Sequence, residues 1–399
     1  PPTADTADIF LNIFNEKPIF SRKEVIHIMK IICSKSNLLK SVSISLKAVP
    51  SKTTMPILEC ILIDATTNQI KFTTNDMELG IETIVEGTIE EKGMVALNAK
   101  IFYEIIRRLP DNDVTIKTDE KFAATITCEK AKFNIPGKSG EDFAYLPMIE
   151  RDEPLTISQY TLKNMIYQTI FSIAVNDNNK LMTGELFEIK NNCLKIVSLD
   201  GHRIAIRKMP LKKDYSDRKV VVPGKTLNEI SKILSGEMDD VVSIFFTNNH
   251  ILFEFDQTMV VSRLIEGEYF RIDQMLSSDY ETKLSINKKE FLDCIDRATL
   301  LVREGDKKPI IIHITDGSME LKIDSAMGSM NEDIDIEKEG KDILIGFNPK
   351  FLIDALKVID DETIDIYLVN PKAPCFIRDE EETYTYLILP VNINQNQAR

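Results

Sequence analysis

Apolar residues recur with helical spacing in three widely separated segments of the chain. The segments 98–109, 223–234 and 348–359 each have apolar side chains at positions i, i+3, i+4 and i+7, except that Ser231 replaces one of them in the middle segment. This spacing places the apolar side chains on one face of a helix. The pattern therefore predicts three similar amphipathic helices.

The three helices belong to a longer repeat. Lys100, Lys225 and Lys350 occupy equivalent positions, and each helix is followed by acidic turn residues and a strand-like alternation. A second helix is predicted near the start of each unit, over 36–49, 159–173 and 288–302. Short alternating runs between turn signals favour antiparallel sheets. The chain is thus predicted to contain three tandem α+β units of about 120 residues, which are whole repeated domains because the period exceeds that of solenoids.

Composition changes this picture only in part. Apolar residues make up 43% and charged residues 28% of the 399 positions, which is typical of a globular chain. The longest apolar runs are too short to cross a membrane, and no secretory signal is expected at the start. The net charge of −14 disfavours a simple basic nucleic-acid binder. However, basic residues clearly outnumber acidic ones on the predicted helices, and this segregation favours an enclosed polyanion.

Cysteine, histidine and glycine patterns exclude several kinds of site. The six cysteines are widely and irregularly spaced, without a CxxC pair, which favours free thiols in a reducing cytoplasm over disulfides. The four histidines form no HExxH motif and no cluster with cysteines, so no metal site is expected. No phosphate-binding loop follows a predicted strand, and we expect no nucleotide or other cofactor.

One segment admits an enzymatic interpretation. Asp200 and His202 lie two residues apart and could form an acid–base pair in a three-domain hydrolase or transferase. No serine or cysteine nucleophile can be paired with them from the sequence, and residues adjacent in a turn seldom form such a pair. This interpretation is kept as the alternative.

A family resemblance then favours a different function. Its motifs are SKTTMPIL at 51–58, NDMELGI at 75–81, LDGHRIA at 199–205, SRLIEGEY at 262–269, DRATLL at 296–301 and YLILPV at 386–391. In this order and spacing the sequence resembles the bacterial beta sliding clamp, the processivity subunit of DNA polymerase III, over roughly 29–393. The resemblance implies an extension or remnant at 1–28 and clamp domains at 29–149, 150–276 and 277–394.

The same resemblance implies the architecture and the function. Each domain would pack two helices on antiparallel sheets, and two chains would join head to tail into a ring. Such a ring is not an enzyme: it encircles double-stranded DNA without sequence preference and tethers the replicative polymerase. The clamp loader and repair polymerases would bind through short linear motifs, in the cytoplasm and away from membranes.

The resemblance also assigns three groups of residues. Those expected to contact DNA are Lys52, Lys100, Asn176, Lys180 and Leu181. Those expected to form the peptide-motif pocket are Met182, Leu199, Gly201, His202, Arg203, Ile204, Phe270, Gln274, Met275, Asn348, Phe351, Lys372, Pro374, Leu387, Ile388, Leu389, Pro390 and Val391. Those expected at the dimer interface are Phe133, Ile135, Leu300 and Leu301. Phe270 and Gln274 depart from the residues usual in the family, which leaves the pocket's shape there open.

Overall fold

The computed structural model describes residues 28–175, 178–276, 279–302 and 308–393. The helices in these ranges are α1 (Lys35–Ser45), α2 (Ala99–Arg108), α3 (Gln159–Tyr167), α4 (Gly224–Ile233), α5 (Lys288–Thr299) and α6 (Pro349–Leu356). Two helices therefore fall in each predicted unit, at the predicted places. None of the helices in these ranges is long and apolar enough to cross a membrane.

Local hydrogen bonds explain where the helices begin. The side-chain oxygen of Asn98 accepts a hydrogen bond from the backbone N–H of Ile101 at the start of α2, and Asn287 does the same for Glu290 at the start of α5. Such N-caps satisfy backbone donors that have no partner within the helix. Asn348 caps α6 in the same way.

The first helix of each domain is shorter than predicted. The predicted helices 36–49, 159–173 and 288–302 end at Ser45, Tyr167 and Thr299. In the first two domains the chain then tightens into the 3₁₀ turns Leu46–Ala48 and Ile170–Ser172. Hydroxyl groups at the helix ends bond carbonyls one turn back, at 2.9 Å from Ser45 Oγ in α1. Apolar periodicity continues through these turns, which is why the sequence pattern overestimated the helices.

Four antiparallel sheets surround the helices. The first contains, in spatial order, β5 (Thr88–Glu91), β1 (Lys30–Ser34), β7 (Asp113–Thr118), β8 (Ala124–Cys128) and β9 (Ala131–Ile135). The second contains β10 (Gly137–Ser139), β6 (Met94–Asn98), β2 (Cys60–Asp64), β3 (Ile70–Asn75), β4 (Leu79–Val85), β18 (Thr258–Arg263), β17 (His250–Phe255), β16 (Val241–Phe246) and β11 (Leu155–Ser158).

The other two sheets belong to the second half of the chain. The third contains β15 (Arg218–Pro223), β12 (Gly184–Lys190), β13 (Cys193–Leu199), β14 (Arg203–Pro210), β27 (Tyr384–Ile388), β26 (Cys375–Arg378), β25 (Thr363–Leu368), β19 (Thr282–Asn287) and β23 (Glu337–Gly340). The fourth contains β22 (Gly328–Asp335), β21 (Ser318–Ser325), β20 (Ile310–Thr315) and β24 (Ile343–Phe347).

Two of these sheets cross domain boundaries. Strand β4 of the first domain pairs with β18 of the middle domain, and β14 of the middle domain pairs with β27 of the third. Each domain therefore completes its sheet with a strand of its neighbour. Two strands remain at sheet edges: β9 in the first domain and β22 in the third.

Each domain has an apolar core between its helices and sheets. In the first domain the rings of Phe72 and Phe102 meet edge to face, with centroids 6.0 Å apart. Both side chains are fully buried, and burying one phenylalanine contributes about 2–3 kcal/mol. All six cysteines are free thiols, as expected, and five of them are buried.

Candidate functional site

The turn between β13 and β14 is organised by a carboxylate. Asp200 Oδ1 accepts hydrogen bonds from the backbone N–H groups of His202 at 3.0 Å and Arg203 at 3.2 Å. Gly201 has φ of +83°, a conformation that favours glycine. The other oxygen, Oδ2, accepts from Arg203 Nε at 3.0 Å. The Asp200 carboxylate is thus committed to shaping the turn and does not orient the His202 ring.

Arg203 connects the middle and third domains. Its guanidinium donates to Asp354 Oδ2 in α6 at 2.7 Å and to the Phe171 carbonyl at 2.6 Å, in addition to Asp200. It also lies over the ring of Phe351, 4.3 Å from the centroid. The Arg203 side chain is only 7% exposed. It therefore anchors the turn from below, while the neighbouring His202 stays exposed.

An apolar cluster lies on the outer face of the third sheet. Leu199, Ile204 and Leu387 are buried in it, and Met182 and Phe270 pack against it while remaining partly exposed. These five residues lie far apart in the sequence, and strands β13, β14 and β27 bring them together. Partly exposed apolar side chains beside a buried cluster form the type of surface that anchors a linear peptide.

The last described residues border this surface. The backbone N–H of Leu389 donates to the His202 carbonyl at 2.9 Å, and that of Val391 donates to the Gly346 carbonyl at 2.8 Å. The side chains of Leu389 and Val391 are 40% and 37% exposed. The segment after β27 is thus held in place by its backbone and leaves apolar side chains available.

Comparisons with known proteins give the family. The models of the N-terminal, central and C-terminal domains of the DNA polymerase III beta subunit match residues 29–147, 156–270 and 273–392. The chain belongs to the DNA polymerase III beta subunit family. The beta sliding clamp of Staphylococcus aureus is 35% identical over 358 residues, which are 87% of this chain and 95% of that protein.

Solved structures agree with this assignment. A crystal structure of a putative DNA polymerase III beta subunit from Eubacterium rectale is 70% identical and covers 92% of this chain and 100% of its own, with a TM-score of 0.89. The sliding clamp of Bacillus subtilis is 34% identical with the same coverage and TM-score. This beta subunit is therefore a DNA sliding clamp, a non-catalytic processivity factor, and the hydrolase or transferase alternative is not supported.

The remaining residues predicted for the pocket of this beta subunit occupy varied positions. Gln274 and Met275 are exposed at the end of the 3₁₀ turn Ile272–Met275. Asn348 caps α6, and Phe351 packs against the third-domain core. Lys372 and Pro374 lie in the turn before β26, Ile388 is buried, and Pro390 is half-buried.

The residues predicted to contact DNA are divided by the structure. Lys52, Lys100 and Lys180 are exposed. Leu181 instead packs against the apolar cluster and touches Gly267, where an added Cβ would lie 3.2 Å from Leu181 Cδ1. Asn176 lies outside the described residues. The structure thus leaves the three lysines free to meet phosphate and places the leucine beside the peptide surface.

The residues predicted for the dimer interface form two pairs of similar design. Phe133 on β9 is 38% exposed, and Leu300 at the end of α5 is 75% exposed. Their partners, Ile135 and Leu301, pack against the cores of the first and third domains. Each predicted half-interface therefore combines one outward apolar side chain with one that supports it.

Sequence reasoning missed some residues at these sites. Ile101 of α2 is 51% exposed and lines an apolar groove of about 330 Å³ with Phe133. It occupies the outer face of a helix whose inner face produced the periodic signal, so the pattern gave no reason to select it. Phe171, which supports Arg203, lies in a 3₁₀ turn that was predicted as helix.

A buried carboxyl lies near these sites. Glu185 on β12 is fully buried, and neither oxygen has a hydrogen-bond partner of good geometry among the described residues. Burial raises the pKa of the Glu185 carboxyl well above its usual range, and the nearby Thr169 hydroxyl opposes this only in part. At neutral pH this residue is a source of instability beneath the segment that carries Met182.

Proposed function

We propose that two copies of this chain close head to tail into a ring around duplex DNA and tether the polymerase through the peptide surface. The observation that carries the proposal is the pair of unused sheet edges, β9 and β22. An exposed edge strand presents unpaired N–H and C=O groups that favour pairing with another strand.

The internal repeat indicates how the edges pair. Strands β4, β14 and β22 each end the first three-strand meander that follows the opening helix of a domain, and the first two pair with a neighbouring domain. Their partners β18 and β27 are the last strands of their own domains' final meanders, the place that β9 occupies in the first domain. Pairing of β22 with β9 of a second chain would repeat the same junction.

This pairing accounts for the sheet sizes. The five-stranded and four-stranded sheets would merge into one nine-stranded sheet, like the two that already cross domain boundaries. Phe133 and Leu300 lie on the elements that would meet, so the exposed apolar side chains would be buried at the joint. A heterologous contact that occurs twice closes a ring with two-fold symmetry.

The helices provide the surface for DNA. Lys52, Lys100 and Lys350 are exposed and form no ion pair within the described ranges. Contacts between lysine and phosphate are blind to sequence, whereas contacts to base edges would stall sliding. The ring holds DNA because it encloses it, so its grip can remain weak.

A loading experiment tests the ring. The clamp is loaded by a clamp loader onto nicked circular DNA, and its retention is measured at about 1 M salt, where the Debye length falls to about 3 Å. We expect retention on circles and loss after linearisation, because the link is topological. Equal loss from both forms would refute the ring.

Variants at the joint sharpen the test. Phe133→Asp should abolish retention on circles, because two unpaired carboxylates would be buried in the closed ring. Met238→Asp is the matched control, since Met238 is 66% exposed and lies on neither edge strand. If Phe133→Asp clamps stay on circles as well as the control does, the joint lies elsewhere.

Partners, location and domain limits complete the proposal. The polymerase, the clamp loader and repair polymerases would each present a short motif with large apolar side chains to Met182, Phe270 and their neighbours. Because the thiols are free and the ligand is DNA, we place the protein in the cytoplasm. Domain limits near 149/150 and 276/277 fit the irregular segments that precede β11 and β19.

A further inference from the structure

A cavity of about 610 Å³ lies at the junction of the middle and third domains. Its lining includes Gln168 at the end of α3 and Tyr384 at the start of β27, which are only 5% and 6% exposed. Gln168 Oε1 and the Tyr384 hydroxyl have no hydrogen-bond partner among the described residues. Buried polar atoms without partners are costly, so their presence in a cavity wall points to a missing ligand.

The equivalent junction between the first and middle domains does not have this feature. Its cavity is only about 240 Å³ and is lined by Ile44, Thr83 and Thr258. The two threonine hydroxyls bond each other at 2.9 Å. Strand pairing sets Thr83 opposite Thr258 there and Arg207 opposite Tyr384 at the second junction.

The helix ends confirm which residues correspond. Thr74 Oγ1 donates to the Ser45 carbonyl after α1, and Ser198 Oγ donates to the Thr169 carbonyl after α3. Ile44 therefore takes the place of Gln168, each being the residue before the bonded carbonyl. The polar lining of the second cavity is a departure from the repeat and not a consequence of the fold.

The rim of the larger cavity is acidic. Asp360, Asp361, Glu362 and Glu380 line it, are exposed, and form no ion pair within the described part of the chain. The two arginines in the lining are matched by acids: Arg207 lies 3.9 Å from Asp379 and Arg378 lies 3.3 Å from Glu382. The rim charge therefore remains unneutralised and attracts cations.

The wall groups suit an ammonium donor. The oxygen of Gln168 can only accept a hydrogen bond. Burial raises the pKa of the Tyr384 hydroxyl well above its usual range, so this group stays neutral and its oxygen can also accept. The volume lies within the range of small-molecule sites, and an inner acceptor pair beneath an outer acidic rim fits a ligand with more than one cationic nitrogen.

We propose that this junction cavity binds a linear polyamine, with one ammonium group on Gln168 Oε1 and the Tyr384 hydroxyl and another among the rim carboxylates. Occupancy would satisfy the two buried oxygens and join residues of α3, β27 and the loop after α6. The site is separate from the peptide surface and does not depend on ring closure.

Calorimetric titration of the full chain with spermidine, without DNA, tests the proposal. We expect one saturable site that magnesium chloride at matched ionic strength does not reproduce. Gln168→Ile, which copies Ile44 of the first junction, should weaken binding about tenfold or more, because it removes a charge-assisted hydrogen bond. Asp361→Asn changes only an exposed side chain and should also weaken it.

The matched control is Asp111→Asn, at the equivalent turn after α2 in the first domain, which should bind spermidine like the wild type. Thermal unfolding of every variant shows whether it is folded. Absence of saturable binding, equal binding of magnesium, or unchanged affinity in both Gln168→Ile and Asp361→Asn would overturn the proposal. So would binding of inorganic phosphate in place of spermidine, which would assign the cavity to the arginines.

Discussion

Arg203→Met should destabilise the junction between the middle and third domains. The substitution keeps much of the side-chain volume but removes three hydrogen bonds from a guanidinium that is 7% exposed. It leaves Asp200 without its ion pair and Asp354 of α6 without the 2.7 Å contact. The Phe171 carbonyl also loses its donor.

The expected loss follows from the exposure of the groups left behind. Removing one partner of a buried ion pair costs about 3–5 kcal/mol. The carboxylates of Asp200 and Asp354 are 14% and 23% exposed, so water compensates each in part. We therefore expect about 3 kcal/mol, which lowers the midpoint of urea unfolding by about 1–2 M.

Urea unfolding at fixed protein concentration provides the measurement, because dimer formation makes apparent stability depend on concentration. The control is Arg107→Met: Arg107 bonds Glu104 at a similar 2.9 Å, but on an exposed face of α2. We expect no measurable shift there, since exposed pairs contribute little. Similar midpoints for Arg203→Met and the wild type would refute the role given to Arg203.

The other predictions concern the joint, the peptide surface and the buried carboxyl. Leu300→Asp should give folded monomers in light scattering, because Leu300 is 75% exposed in the single chain and buried at the proposed joint; a dimer would contradict this. Met182→Lys should weaken binding of a polymerase-derived peptide about tenfold or more in calorimetry, whereas Met238→Lys should not. Glu185→Met should raise the melting temperature more at pH 8 than at pH 5. The folded-state pKa of Glu185 is raised, so the wild type loses stability as pH rises from the ordinary carboxyl pKa toward the raised one, and methionine removes that loss. An equal gain at both pH values would show that Glu185 is not charged above pH 5.

Much of the fold could be predicted because it repeats. Three helices with the same apolar spacing gave the number of domains, and alternating runs gave antiparallel strands such as β7 and β25. The ends of α1 and α3 could not be predicted, because hydroxyl groups at Ser45 and Thr169 close the helices while the apolar period continues. Strand exchange between domains was also invisible, since nothing local to β18 or β27 names its partner.

The sites were predictable to a different degree. The resemblance selected Leu199, Ile204 and Leu387, which strand pairing does bring into one cluster. The motif that contains Arg203 gave no sign that its side chain holds another domain, because Asp354 is distant in sequence. Gln168 offered no signal at all, since an unpartnered oxygen becomes visible only when the third domain is in place.

Strand exchange also sets the order in which the molecule can mature during synthesis. The middle domain cannot complete the sheet that contains β14 until β27, which is made almost last, has left the ribosome. Before that moment β14 is an open edge, and the apolar cluster that includes Leu387 is incomplete. A chain that stops short of residue 384 would lose a strand of the middle domain as well as the end of the third. Only full-length chains therefore present a finished surface to partners, so an interrupted product cannot compete with a complete clamp.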